Sequence, residues 1–151
     1  MSTFKWSAYN TADTAIGGTL MNALATGAYT QPGAAIDNTS GLYLLGDLVI
    51  SLSSTVSVPS GSPSIAIWVL PSPDGTNYPN PPGNAAAAAP PSLLAGTIIM
   101  VPSVSSQIMV ARGLVLPPSL FKVQIQNNLG VAFPATTTST CKLYRYGEQS
   151  V

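Results

Sequence analysis

The chain has no histidine, a single cysteine and, across 151 residues, only five basic and five acidic side chains. Each shortage removes a class of function. Without histidine there is no Ser-His-Asp triad, and the side chain best suited to proton transfer near neutrality is missing. One cysteine, Cys141, allows neither an internal disulfide nor a thiolate metal site, and reads as a small apolar residue on a strand. Soluble domains are roughly 25% charged, against 7% here. Spread over a surface on the order of 7,000 Å², so few charges leave little field to steer a charged ligand. The charges also cancel to zero, so little repulsion keeps copies apart and association is favoured. Lys5, Arg112, Lys122, Lys142 and Arg145 are scattered, with only the last two close together, so no basic face for nucleic acid is expected. Long apolar runs are missing as well. Residues 75–111 carry no charge, but six prolines leave no window near the roughly 20 apolar residues that a membrane-spanning helix needs. Lys5 is followed by Trp-Ser-Ala-Tyr-Asn and not by an apolar leader, so the reading is a soluble chain with no membrane partner.

What is present is punctuation. Fourteen prolines and thirteen glycines leave little room for long helices. Between them lie short runs rich in Val, Ile, Leu, Thr and aromatics, at residues 42–58 (with a kink near Gly46), 65–70, 93–101, 107–116, 120–126 and 141–146. The run 120–126 alternates, with Phe121, Val123 and Ile125 on one face and Lys122, Gln124 and Gln126 on the other. Six or seven short strands separated by turns predict an all-β fold, an antiparallel β-sandwich. The best helical candidate, 12–25, is interrupted by Gly17 and Gly18, and no fixed repeat is visible. Residues 1–40 are polar, small and glycine-rich, with Trp6, Tyr9 and Tyr29 as isolated anchors. They read as an extended N-terminal arm, ordered by clamping to a neighbour, ahead of a sandwich domain at 41–151. A long loop at 72–92, with five consecutive alanines, reads as a spacer with a contact role.

Candidate chemistry is thin. A Ser-Lys pair would need Lys122 or Lys142, both on outward strand positions. Of the carboxylates, Asp37-Asn38 and Asp74-Gly75 are turn dipeptides and Glu148 lies near the C-terminal end. Asp47 is different: among Leu44, Leu45, Leu48 and Val49 a charge is costly unless paired, which predicts Arg112 or Arg145 as its partner. Asp74-Gly75-Thr76-Asn77 lacks the acidic spacing of a calcium loop, and Gly17-Gly18 lacks the lysine of a phosphate loop. No catalytic residue, metal or cofactor is therefore expected. Trp68 sits inside an apolar run and reads as core, whereas Tyr78 in the long loop is the better contact residue. The expected interface residues are Trp6, Tyr9, Tyr29, Asp47, Tyr78 and Arg145.

Five motifs occur in order. They are Ala35-Ile36-Asp37-Asn38-Thr39; Leu70-Pro71-Ser72-Pro73-Asp74-Gly75-Thr76-Asn77-Tyr78; Leu116-Pro117-Pro118-Ser119-Leu120-Phe121-Lys122; Gln126-Asn127-Asn128-Leu129-Gly130; and Lys142-Leu143-Tyr144-Arg145-Tyr146-Gly147-Glu148-Gln149. In this order they resemble the cement, or decoration, proteins of tailed-bacteriophage heads, over roughly residues 35–149, with the alanine run at 85–89 as a departure confined to the long loop. The resemblance implies a jelly-roll-like sandwich that is made in the host bacterial cytoplasm and resides on the outer capsid surface of the virion. It further implies a homodimer or homotrimer whose partner is the major capsid protein, bridging its subunits, with no catalytic residues. The alternative is a receptor- or glycan-binding module of a phage tail or fibre, which would share the sandwich and the aromatic residues.

Overall fold

Proline and glycine cut the chain into lengths that suit strands, and the apolar runs between them pair as such. The computed structural model describes residues 4–53, 56–59, 61–79, 86–101 and 108–150. Ser54 and Thr55 of the expected long strand, the centre of the expected loop at 80–85, and Gln107 lie outside the described residues. The strands are β1 (Phe4–Trp6), β2 (Asp13–Ile16), β3 (Ile36–Asp37), β4 (Leu45–Ser51), β5 (Ser64–Ser72), β6 (Leu94–Ile99), β7 (Ile108–Val115), β8 (Leu120–Asn128), β9 (Thr140–Tyr146) and β10 (Glu148–Ser150). They form two four-stranded antiparallel sheets: sheet I in the order β2-β9-β4-β7, sheet II in the order β3-β8-β5-β6. A separate two-stranded ribbon pairs β1 with β10. The all-β sandwich expected from the sequence is the observed architecture.

Alternation fixes which residues face inward. Leu48 and Ile50 of β4, Met109 and Ala111 of β7, and Cys141 and Leu143 of β9 meet Ile65, Ile67 and Val69 of β5 and Phe121, Val123 and Ile125 of β8 in one core. Fully burying each large aliphatic side chain of this kind contributes about 1.5–3 kcal/mol. The Cys141 thiol is in this layer, and burial pushes its pKa up to about 12, so it stays a packing group at neutral pH.

Two sequence expectations change on contact with the structure, and a third, Trp68 as core, holds with an addition. The helical candidate at 12–25 shrinks to the single turn α1 (Gly18–Met21), and Asp13–Ile16 pairs with β9 instead. The division drawn at residue 40 coincides with no structural boundary, because β2 and β3 are edge strands of the two sheets. Residues 27–33 also run along β8, through hydrogen bonds of Gly27 N–H to the Asn127 carbonyl (2.6 Å), Thr30 N–H to Ile125 (2.9 Å) and Gly33 N–H to Val123 (2.9 Å). Gly33 is needed there, since a Cβ would overlap the Ala15 carbonyl. Trp68, finally, is buried as expected, but in a second layer on the far side of sheet II. There Ala66, Trp68 and Leu70 pack beneath Tyr29, Tyr78, Ala89 and Leu93.

Candidate functional site

On the outer face of sheet I, strand alternation places Asp47 of β4 beside Tyr144 of β9, its register partner. Tyr146, two residues on, falls on the same side. Asp47 is 7% exposed. A carboxylate this sheltered is costly unless its oxygens are satisfied, and here donors reach both. Tyr9 O–H donates to Oδ2 at 2.7 Å, while Gly113 N–H (2.9 Å) and Tyr146 O–H (3.2 Å) donate to Oδ1. The backbone donor is supplied by an irregularity in the ladder. Register between β4 and β7 slips between Gly46 and Leu48, and Gly113 adopts φ +66°, a conformation open to glycine.

The expectation that Arg112 or Arg145 pairs with Asp47 is therefore corrected: two phenols and a peptide N–H hold it. Arg145 serves elsewhere. Its Nε donates to Asp13 Oδ2 at 2.8 Å and its Nη1 to the Asp37 carbonyl, which ties β2 of sheet I to β3 of sheet II. Its backbone exchanges hydrogen bonds with Asn10 (2.8 and 3.0 Å). Arg112 remains on the wall of the Asp47 cleft, exposed, and its charge partly offsets the upward pull on the two tyrosines.

Around the carboxylate the rings meet edge to face: Trp6 to Tyr146 at 5.7 Å, Tyr9 to Tyr146 at 5.2 Å and Tyr9 to Tyr144 at 6.0 Å between centroids. Trp6 and Tyr9 each remain 56% exposed. Together with Ser7, Leu45, Asp47, Arg112 and Tyr146 they line a cleft of about 500 Å³. The hydrogen bond to Asp47 is the main reason the Tyr9 phenol has a raised pKa; for Tyr146 the main reason is burial, followed by the Asp47 charge. Compared with known protein families, curated proteins and solved structures, the chain matches none. What the cleft can do must be read from its own chemistry. It offers aromatic surface and one exposed guanidinium for contact, while its carboxylate is engaged by donors.

Of the six residues expected at an interface, the structure brings three together: Trp6, Tyr9 and Asp47. Arg145 is a structural tie. Tyr29 and Tyr78 lie on the other side of the molecule, over sheet II, where Tyr29 packs on Trp68 (5.5 Å) and Tyr78 sits beneath the Lys122 ammonium (4.5 Å). Tyr144 and Tyr146 were missed. Their signal was present in the order Tyr144-Arg145-Tyr146, which on a strand sends both phenols to one face.

Asp37 and Asp74 behave as the turn residues expected. Asp37 Oδ1 accepts Thr39 N–H at 2.8 Å, and Asp74 Oδ1 accepts Asn77 N–H (2.8 Å) and Thr76 N–H (2.9 Å). These backbone donors hold both carboxyls below the usual range.

Proposed function

We propose that this chain is an adhesive structural protein, a cement or decoration protein of a tailed-phage head. It binds the outer capsid surface and bridges major capsid subunits as a homo-oligomer. The observation that carries this reading is the outer face of sheet I. Val49, Val110, Tyr144 and Lys142 stay half-buried or exposed on it, and Trp6 and Tyr9 extend it at one end. Apart from Lys142 and Arg112 it is a surface of strands and rings, which suits large contacts that salt weakens little. Repetition on a lattice makes weak single contacts sufficient.

The finer fold reading is a jelly roll, with residues 4–12 as what is left of the extended N-terminal arm expected over 1–40. It is supported by the strand orders β2-β9-β4-β7 and β3-β8-β5-β6, with consecutive strands from β2 to β9 crossing between sheets at every step except β5 to β6. The implied site of action is the virion exterior, after synthesis in the bacterial cytoplasm.

The test is co-sedimentation of the purified protein with expanded capsids of its own phage across a salt series. Saturable binding at a fixed ratio to the capsid protein, little weakened by salt and reduced by the pair Trp6→Ala and Tyr9→Ala, is the expected result. Absence of binding at every salt concentration would overturn the reading.

The cleft favours a second reading, a glycan- or receptor-binding module, because exposed rings beside a guanidinium also suit a sugar carrying an acidic group. Reproducible signals on a glycan array, lost on Tyr9→Ala, together with no capsid binding, would move the assignment there.

A further inference from the structure

Two polar atoms in the layer over sheet II have nothing to bond. Among the described residues, the buried side-chain atoms without a hydrogen-bond partner are Trp68 Nε1 and Gln124 Oε1. Their residues are 6% and 0% exposed, and they are direct register partners across β5 and β8. Side chains so placed share one face of the sheet, with Cβ atoms about 4.5–5.5 Å apart. The two orphans are therefore neighbours, and they are of opposite kind. The indole N–H can only donate, and the amide oxygen can only accept.

The other end of the amide fixes its orientation. Gln124 Nε2 donates to the Thr30 carbonyl at 2.8 Å and to the Ala87 carbonyl at 2.9 Å. Exchanging nitrogen and oxygen would set an acceptor against two acceptors, so Oε1 is the unbonded atom. Ala66, Leu70, Tyr29, Ala89 and Leu93 pack in the same layer, with the Tyr29 ring 5.5 Å from that of Trp68. Leaving a donor and an acceptor bare among such groups is costly.

We infer that this layer encloses one structural water, which accepts from Trp68 Nε1–H and donates to Gln124 Oε1. The pairing of the orphans selects the ligand. A cation would oppose the indole N–H, and an anion would oppose the amide oxygen. A neutral species that both accepts and donates satisfies the two together, and water is the smallest of that class. Two hydrogen bonds of ordinary length to a single water span the gap between facing side chains. The ladder is also irregular at this point, since the register of β5 with β6 shifts between Ile67 and Trp68, a feature that re-aims side chains. Residues 27–33 and 86–93 thus close over sheet II around a held water and not on a dry layer, and that water is part of the fold. The site is independent of the face assigned to the capsid.

Nuclear magnetic resonance of the isotope-labelled full chain tests this. The sequence has two indole N–H groups, and Trp6→Phe identifies the remaining signal as that of Trp68. Cross-relaxation between water and the Trp68 indole N–H is expected, of the sign that a long-held water gives and unchanged as pH is raised. Proton exchange with bulk water would instead grow with pH. A crystal structure should show one ordered water within roughly 2.7–3.2 Å of both atoms. No such cross-relaxation, or an indole N–H bonded directly to Gln124 Oε1 or to a carbonyl, would overturn the inference. Neither measurement involves the capsid, so either reading can fail alone.

Discussion

The two outer faces of the sandwich have been treated in opposite ways. Over sheet II the chain covers itself: Ala66, Trp68 and Leu70 lie beneath Tyr29, Tyr78, Ala89 and Leu93. Gln124 is fully buried there and fastens the cover, its Nε2 donating to the carbonyls of Thr30 (2.8 Å) and Ala87 (2.9 Å). Over sheet I, among the described residues, the short segment carrying Trp6 and Tyr9 alone crosses one end, and Val49, Val110 and Lys142 stay open to solvent or to a partner. A sheet needs one buried face to be stable. Sheet II has two and sheet I has one.

The contrast can be broken by mutation. Trp68→Ala should have the largest effect, destabilising by about 3–5 kcal/mol in denaturant unfolding, as for any buried tryptophan. A loss below about 1 kcal/mol would mean that the layer over sheet II is decoration and not core. Gln124→Leu should come next, at about 2–3 kcal/mol, because two backbone carbonyls lose their donor. Hydrogen exchange should then show residues 27–33 and 86–90 opening before the sheets do. Val49→Lys, on the open face, should stay within about 0.5 kcal/mol of wild type in the same unfolding measurement.

The smallest effects concern the segment over sheet I. Tyr9→Phe should speed limited proteolysis within residues 4–12 and lower the unfolding midpoint of the sandwich only slightly, since Asp47 Oδ2 loses its phenol donor but the loosened segment readmits water to it. High pH should act in the same direction. The phenols of Tyr9 and Tyr146 titrate above the ordinary tyrosine value of 10.0. A raised folded pKa contributes stability that is complete below the unfolded value and lost as pH rises through the folded one. Proteolysis near residue 9 should therefore be flat up to about pH 10 and then rise; a rise beginning near neutrality would contradict the Asp47 clamp.

The sequence announced the strands whose apolar runs are long and bounded by proline, such as β5, and those with clean alternation, such as β8. It hid β2 and β3. Asp13–Ile16 sits inside a stretch of small residues that reads equally well as helix, and Ile36–Asp37 merges with a turn. Such short edge strands are formed by pairing with β9 and β8, not by local preference. The position of Asp47 correctly demanded a partner. The partner was misread because charge suggested arginine, whereas the donors are phenols far away in sequence, Tyr9 and Tyr146, and a glycine N–H. Nothing local in a sequence brings those three to one carboxylate. Trp68 was legible as buried, but not as belonging to a second layer, because only the path of residues 27–33 and 86–93 creates that layer.

The strand order has a consequence for how the chain acquires its shape. β9 sits between β2 and β4, and β8 between β3 and β5. Neither sheet can be completed until these late strands have been synthesised, so during translation β2 to β5 wait without their central partners. Closure of both sheets must wait for β8 and β9, and the many distant pairings make it slow. In that interval the apolar strands are open to the wrong neighbours. A cell producing the chain in quantity faces its main hazard before the first sheet closes.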